Sequence, residues 1–275
     1  MLRLLSIEIH KLKHNRASRI LIIIYFALLT SIALIAAVKF DIGPVQFHLA
    51  EQGIFNFPYI WHFNTYMAAI FKFFLLLVIV SMMANEYSNK TLKQNLIDGL
   101  SKKEFILSKF YTVILLALIS TIFVFIVSLI LGYIYSDFNE ILIVTTDLEY
   151  LFAFFIKLVG FFSFGLFLGI LIKKSAFAVG AMLVWAMVEG FAKGMFHWRF
   201  EGHVDDLMRI FPLEAMSNLI KEPFTRLGAV KTVAKQVGED LSKDFSVQLL
   251  DILIVTCWTA IFVYLSYWLL KKRDL

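Results

Sequence analysis

Six stretches of this chain stay apolar over the ~17–25 residues that a helix needs to cross a bilayer. They run over about 20–38, 66–84, 110–135, 150–172, 176–196 and 252–270, and the second has a possible earlier start near Pro58. Across the 275 residues, 60% are hydrophobic and only 17% charged, with 29 Phe. A single soluble core of this length could not bury so much apolar surface. The composition excludes a soluble globule, a disordered chain and a fibrous repeat, and predicts an all-α, polytopic membrane protein in one domain spanning 1–275. The first apolar run is too long for the core of a cleaved signal peptide, and no small-x-small cleavage site follows it.

The distribution of Lys and Arg predicts orientation. Arg3, Lys11, Lys13, Arg16 and Arg19 precede the first span, and Lys90, Lys93, Lys102, Lys103 and Lys109 follow the second. Lys173 and Lys174 lie between the fourth and fifth spans, and Lys271, Lys272 and Arg273 end the chain. The segment from Ser136 to Glu149 has no Lys or Arg but carries Asp137, Glu140, Asp147 and Glu149. Both termini are therefore expected in the cytoplasm. The two-lysine turn predicts an antiparallel hairpin of spans four and five. Gly160, Ser163, Gly165 and Gly169 predict close helix packing in span four. The single Cys257 lies in an apolar run and reads as a buried, inert thiol.

The first nineteen residues read as an amphipathic helix, with Leu2, Leu5, Ile9 and Leu12 on one face. Either it lies on anionic headgroups or it is an ordinary basic flank. The segment 85–109 is the most informative. Leu92, Leu96 and Leu100 form a stripe at steps of four, Gly99 breaks the helix, and Ser101–Lys102–Lys103–Glu104 is a capping box that opens the next one. A short amphipathic helix of this kind either docks into a groove on a partner or is a surface connector.

Together these features resemble the permease subunit of an ABC-2-type (type V exporter-like) ABC transporter, in a bacterial, Bacteroidetes-like form. The resemblance rests on Ile7–Glu8–x–x–Lys11–x–x–x–x–Arg16 before span one and on Glu86–Tyr87–x–x–x–Thr91 after span two. Gly99–Leu100–Ser101–Lys102–Lys103–Glu104–Phe105–Ile106–Leu107–Ser108–Lys109 leads into span three, and Phe211–Pro212–Leu213–Glu214–Ala215–Met216–Ser217–Asn218–Leu219–Ile220 sits in a long loop before the last span. The resemblance implies a multi-pass subunit of the bacterial cytoplasmic (inner) membrane, working as an ATP-driven exporter. Glu86, Thr91, Leu92, Leu96 and Leu100 would then belong to the coupling helix. No G-x-x-x-x-G-K-[ST] motif occurs, so the resemblance places ATP-Mg on a separate P-loop ATPase, with no cofactor on this chain. It also implies a second permease copy or paralogue, contact with membrane lipid, and no nucleic-acid partner.

Four ionisable residues fall inside spans: Lys72, Lys157, Glu189 and Lys193. A charge facing lipid is costly, so these are expected to face protein. At 1.5 Å per residue, Lys72, Lys157 and Glu189 share one depth, ~10 Å below the outer surface. Glu189 is expected to pair with one or more of the lysines, as a gate or exit ring or as a static internal salt bridge. The loop 197–250 is expected outside, with amphipathic helices around Leu207–Leu213 and Leu227–Leu241; the resemblance implies a re-entrant or lid-like part. An enzyme is disfavoured, because no H-E-x-x-H or nucleophile–base pair is found among His10, His14, His48, His62, His197 and His203. The alternatives are an ion-coupled secondary transporter or an intramembrane hydrolase. The apolar and aromatic composition suits a lipid, a peptide or a hydrophobic drug equally.

Overall fold

A computed structural model describes residues 2–37, 40–42, 45–47, 53–199, 204–226 and 244–273. The expected helix over 227–241 lies outside them. The elements run α1 (Leu2–His14), α2 (Arg16–Ala37), β1 (Phe40–Ile42), β2 (Val45–Phe47), α3 (Tyr59–Ile70), α4 (Lys72–Ser88), α5 (Thr91–Ile97) and α6 (Lys102–Tyr135). They continue with α7 (Ile141–Val144), α8 (Glu149–Ile172), α9 (Ser175–Arg199), α10 (Val204–Met208), α11 (Pro212–Asn218), a 3-10 turn (Phe224–Arg226) and α12 (Leu249–Lys272). β1 and β2 pair antiparallel in a three-residue ladder.

Four segments are helical, long and apolar enough to cross a membrane: α6, α7–α8 (Ile141–Ile172), α9 and α12. The α3–α4 pair, bent by 45°, makes a fifth if taken as one broken span. The expected second span is thus a broken helix that begins at Tyr59. The first expected span falls on the 22-residue α2.

The bundle is built around α8. In its apolar window 72% is buried, against 17% for α9. Small residues set that role. A Cβ on Gly165 would lie 2.3 Å from Leu76 Cδ1 of α4, and one on Gly160 would lie 2.8 Å from Val255 of α12. Phe164 of α8 stacks on Phe262 of α12 at 4.6 Å between centroids. The α8–α9 hairpin turns at Lys173, whose φ of 64° ends α8. Cys257, expected buried, is exposed; it lies on a face of α12 that none of the other described residues covers.

The four basic segments gather at one end of the bundle. There the Lys102 ammonium donates to the Arg273 carbonyl at 3.0 Å, the Arg273 guanidinium donates to the Leu171 carbonyl at 2.9 Å, and Lys173 lies over the Tyr87 ring. At the opposite end, the Trp61 indole donates to the Val144 carbonyl, and Arg226 pairs with Asp147.

Candidate functional site

At the basic end the chain leaves α4 at Asn89, takes a left-handed residue at Lys90 (φ 55°) and starts α5 at Thr91. Gly99, at φ +95°, ends that excursion, a conformation that glycine reaches without steric cost. Ser101 then caps α6. Its hydroxyl accepts from the Glu104 amide, and the Glu104 carboxylate accepts from the Ser101 amide at 3.0 Å, the reciprocal box that the sequence predicts.

These turns bring three separate segments onto one carboxylate. Glu86, near the end of α4, is buried. Its Oε1 accepts from Lys109 Nζ of α6 at 2.5 Å and from Lys11 Nζ of α1 at 2.8 Å, and its Oε2 accepts from the Thr91 hydroxyl at 2.6 Å. Lys109 is fully buried and also donates to Glu8 of α1 at 2.6 Å, while Lys11 reaches Glu8 at 3.5 Å. Two carboxylates and two ammoniums thus close a network that ties α1, the α4–α5 turn and α6 together. Burial pulls the Lys11 ammonium down, but its bonds to Glu86 and Glu8 more than offset this and hold it above the ordinary lysine value. A cavity of about 230 Å³ opens beside the network, lined by Lys11, Asn85, Glu86, Asn89 and Thr91 among others. Because the network bonds the start of α5 to both α1 and α6, a displacement of α5 is passed to those two helices.

The leucine stripe faces the chain's own bundle. Leu92 is buried in the core, and Leu96 and Leu100 pack against it. They clamp α5 onto the bundle by burying its apolar side against the core. The side chains α5 presents outward are Lys93, Gln94, Ile97 and Asp98, with Ile97 75% exposed. The α1 stripe is also displaced. Leu12 and Glu8 are buried while Ile9 is exposed, so a charged residue occupies the inward face. Glu8, Lys11 and Lys109 all stand in the patterns that carry the resemblance, and Lys11 and Lys109 also count toward the basic flanks; their pairing was hidden. One signal was available: Lys109 sits well inside α6 among Phe105, Ile106, Leu107 and Phe110.

The four intramembrane charges do not form one cluster. Glu189 is buried, but its carboxylate accepts from the Trp185 indole at 2.5 Å and from the α11 amides of Leu213 (3.2 Å) and Glu214 (2.9 Å). It therefore meets a helix N-terminus, where a carboxylate is favoured, and not a lysine. Lys193 pairs with Glu214 at 2.6 Å, beside a cavity of about 400 Å³ that also holds the Arg209–Asp251 pair. Pro212 opens α11 at its first turn and so aims those amides. Lys72 and Lys157 stand apart from these pairs, with the Lys72 ammonium over the Phe161 ring and Lys157 buried on α8. Among the described residues no group of three or more His, Cys, Asp or Glu is arranged to hold a metal ion.

Residues 32–275 match a protein family described as "Protein of unknown function (DUF2705)". The match includes Glu86, Thr91 and Lys109 and leaves out Glu8 and Lys11. No curated protein matches the chain.

Proposed function

The chain belongs to the DUF2705 family, and we propose that it is the membrane-spanning subunit of an ATP-driven exporter, coupled to a separate P-loop ATPase. In this reading α2 and the α3–α4 pair join α6, α8, α9 and α12 as six spans, with the basic end and both termini in the cytoplasm. ATP-Mg is bound and hydrolysed on the partner. Two such subunits, identical or paralogous, make the pathway within the bacterial inner membrane.

The observation that carries the reading is the convergence on Glu86. Of the three segments on which the ABC-2 resemblance rests at this end, the first lies 75 residues before the others, yet they meet through Glu8, Lys11, Glu86, Thr91 and Lys109. A partner pressing on the exposed side of α5 would move a unit already bonded to the first helix and to α6. That is the mechanical requirement for coupling nucleotide-driven motion to a transmembrane bundle. The inward leucines hold the lever, and Lys93, Gln94 and Ile97 form its contact face.

The test is affinity purification of the tagged chain in mild detergent, with mass spectrometry of co-purifying proteins and an ATPase assay. A stoichiometric P-loop ATPase that is lost in the Ile97→Asp and Lys93→Glu variants supports the reading. A clean preparation without an ATPase, in more than one detergent, defeats it and favours an ion-coupled carrier, the second reading, which draws on the broken α3–α4 span.

A further inference from the structure

A groove of about 470 Å³ runs between α6 and α12, lined by Lys103, Leu107, Phe110, Ala260, Val263 and Tyr267 among others. It shares no residue with the Glu86 network or with the Arg209–Asp251 cavity. Its walls are apolar in effect. The two threonines that face it turn their hydroxyls back onto α12, Thr256 to the Ile252 carbonyl and Thr259 to the Val255 carbonyl, each at 2.8 Å.

One end of the groove is charged. Lys103 is exposed in the first turn of α6, and among the described residues its ammonium has no hydrogen bond or ion pair. Its neighbour Glu104 is engaged by Ser101 in the capping box. Lys102, which donates to the carbonyls of Lys271 and Arg273, and Lys272, 4.0 Å over the Trp268 ring, add positive charge at the same end.

Length and charge select the occupant. From Tyr267 to Thr256, α12 advances about 16 Å. That is close to half of the ~30 Å hydrocarbon core, so the slot has the depth of one leaflet and opens at the basic end. An acyl chain filling it supplies the contacts that its walls otherwise lack. At the mouth Lys103 attracts an anionic headgroup, and Tyr267 offers a ring suited to the membrane–water boundary. A second copy of the chain is a poorer match. Its own end at this level is basic too, so like charges would meet across the contact.

We propose that the α6–α12 groove binds one acyl chain of an anionic phospholipid, with Lys103 on the headgroup phosphate. The proposal rests on the chain crossing a membrane and not on the exporter reading.

The test uses the purified, delipidated chain without nucleotide or ATPase, so its failure leaves the exporter proposal standing. Phosphatidylglycerol or phosphatidylcholine is added, and native mass spectrometry counts the lipids and the protein copies in each particle. The wild-type chain is expected to retain one phosphatidylglycerol per chain saturably and in preference to phosphatidylcholine. Lys103→Gln lowers that preference about fivefold, the effect of one lysine near a charged headgroup. Lys13→Gln, an equal change of charge on the exposed side of α1, leaves it unaltered. Ala260→Trp fills the groove and lowers retention of both lipids. Lys103 and Ala260 are both exposed, so these variants fold, as size-exclusion chromatography will register. The proposal is overturned if the wild-type chain shows no preference for phosphatidylglycerol, or if Lys103→Gln behaves like Lys13→Gln. It is also overturned if Ala260→Trp retains lipid like the wild type, including the case in which it only separates paired copies, which would make the groove a seat for a second chain.

Discussion

The Lys109 ammonium lies 2.5 Å from the Glu86 carboxylate, and no part of that lysine reaches the surface. Lys109 is the only residue of α6 in the network, and Lys11 cannot take its place because Lys11 belongs to α1. Replacing it with methionine strands two carboxylates against one half-exposed ammonium. Lys109→Met is expected to destabilise the folded chain by about 3 kcal/mol. The denaturation midpoint in detergent measures it. Adding Glu8→Gln in the same chain should recover part of the loss, a non-additivity that a double-mutant cycle reads directly.

Thr91 fixes the start of α5 through its 2.6 Å bond to Glu86. Thr91→Val keeps the shape and removes the donor. The expected cost is about 1–2 kcal/mol, with faster amide exchange confined to Thr91–Ile97. Exchange rates that rise equally in α8 would refute a local role.

The Lys11 link to α1 carries its own pH signature. Its folded value lies above the ordinary 10.5, so its contribution is complete below 10.5 and is lost as pH rises through the raised value. The α1–α4 distance, followed by spin labels, should therefore hold constant from neutral pH to 10.5 and lengthen only as pH rises through the raised value. The Lys11→Met chain should lack that component of the alkaline change.

Close approach at Gly165 predicts a contrast between two glycines. A methyl there meets Leu76 at 2.3 Å, whereas nothing lies within 4 Å of one placed on Gly180. Gly165→Ala is expected to cost about 1–3 kcal/mol. Gly180→Ala should be neutral or stabilising by up to about 1 kcal/mol. Melting temperatures of the two purified variants decide it.

Local chemistry made much of the architecture legible. Apolar run length placed α6, α8, α9 and α12 within a few residues, the box at Ser101 and Glu104 set the start of α6, and Gly99 ended α5. What escaped was everything decided by long-range pairing. The Leu92 stripe had two possible neighbours, and only assembly shows that its own core claims it. Glu189 looked like a counter-ion for lysines at equal depth, because the α11 amides that satisfy it lie some two dozen residues away, beyond Pro212. The bend at Phe71 left no mark, since no proline or glycine stands there. Glu8 and Lys109 stood in the sequence patterns before span one and leading into span three, but nothing in those patterns paired them with each other.

The network around Glu86 joins two carboxylates to two ammoniums, and that equality has an electrical meaning. Moving one elementary charge through a potential of 100 mV takes roughly 2.3 kcal/mol. An assembly whose charges cancel can shift along the membrane normal without doing that work. These four side chains therefore add no electrical work of their own to any displacement of the elements they join.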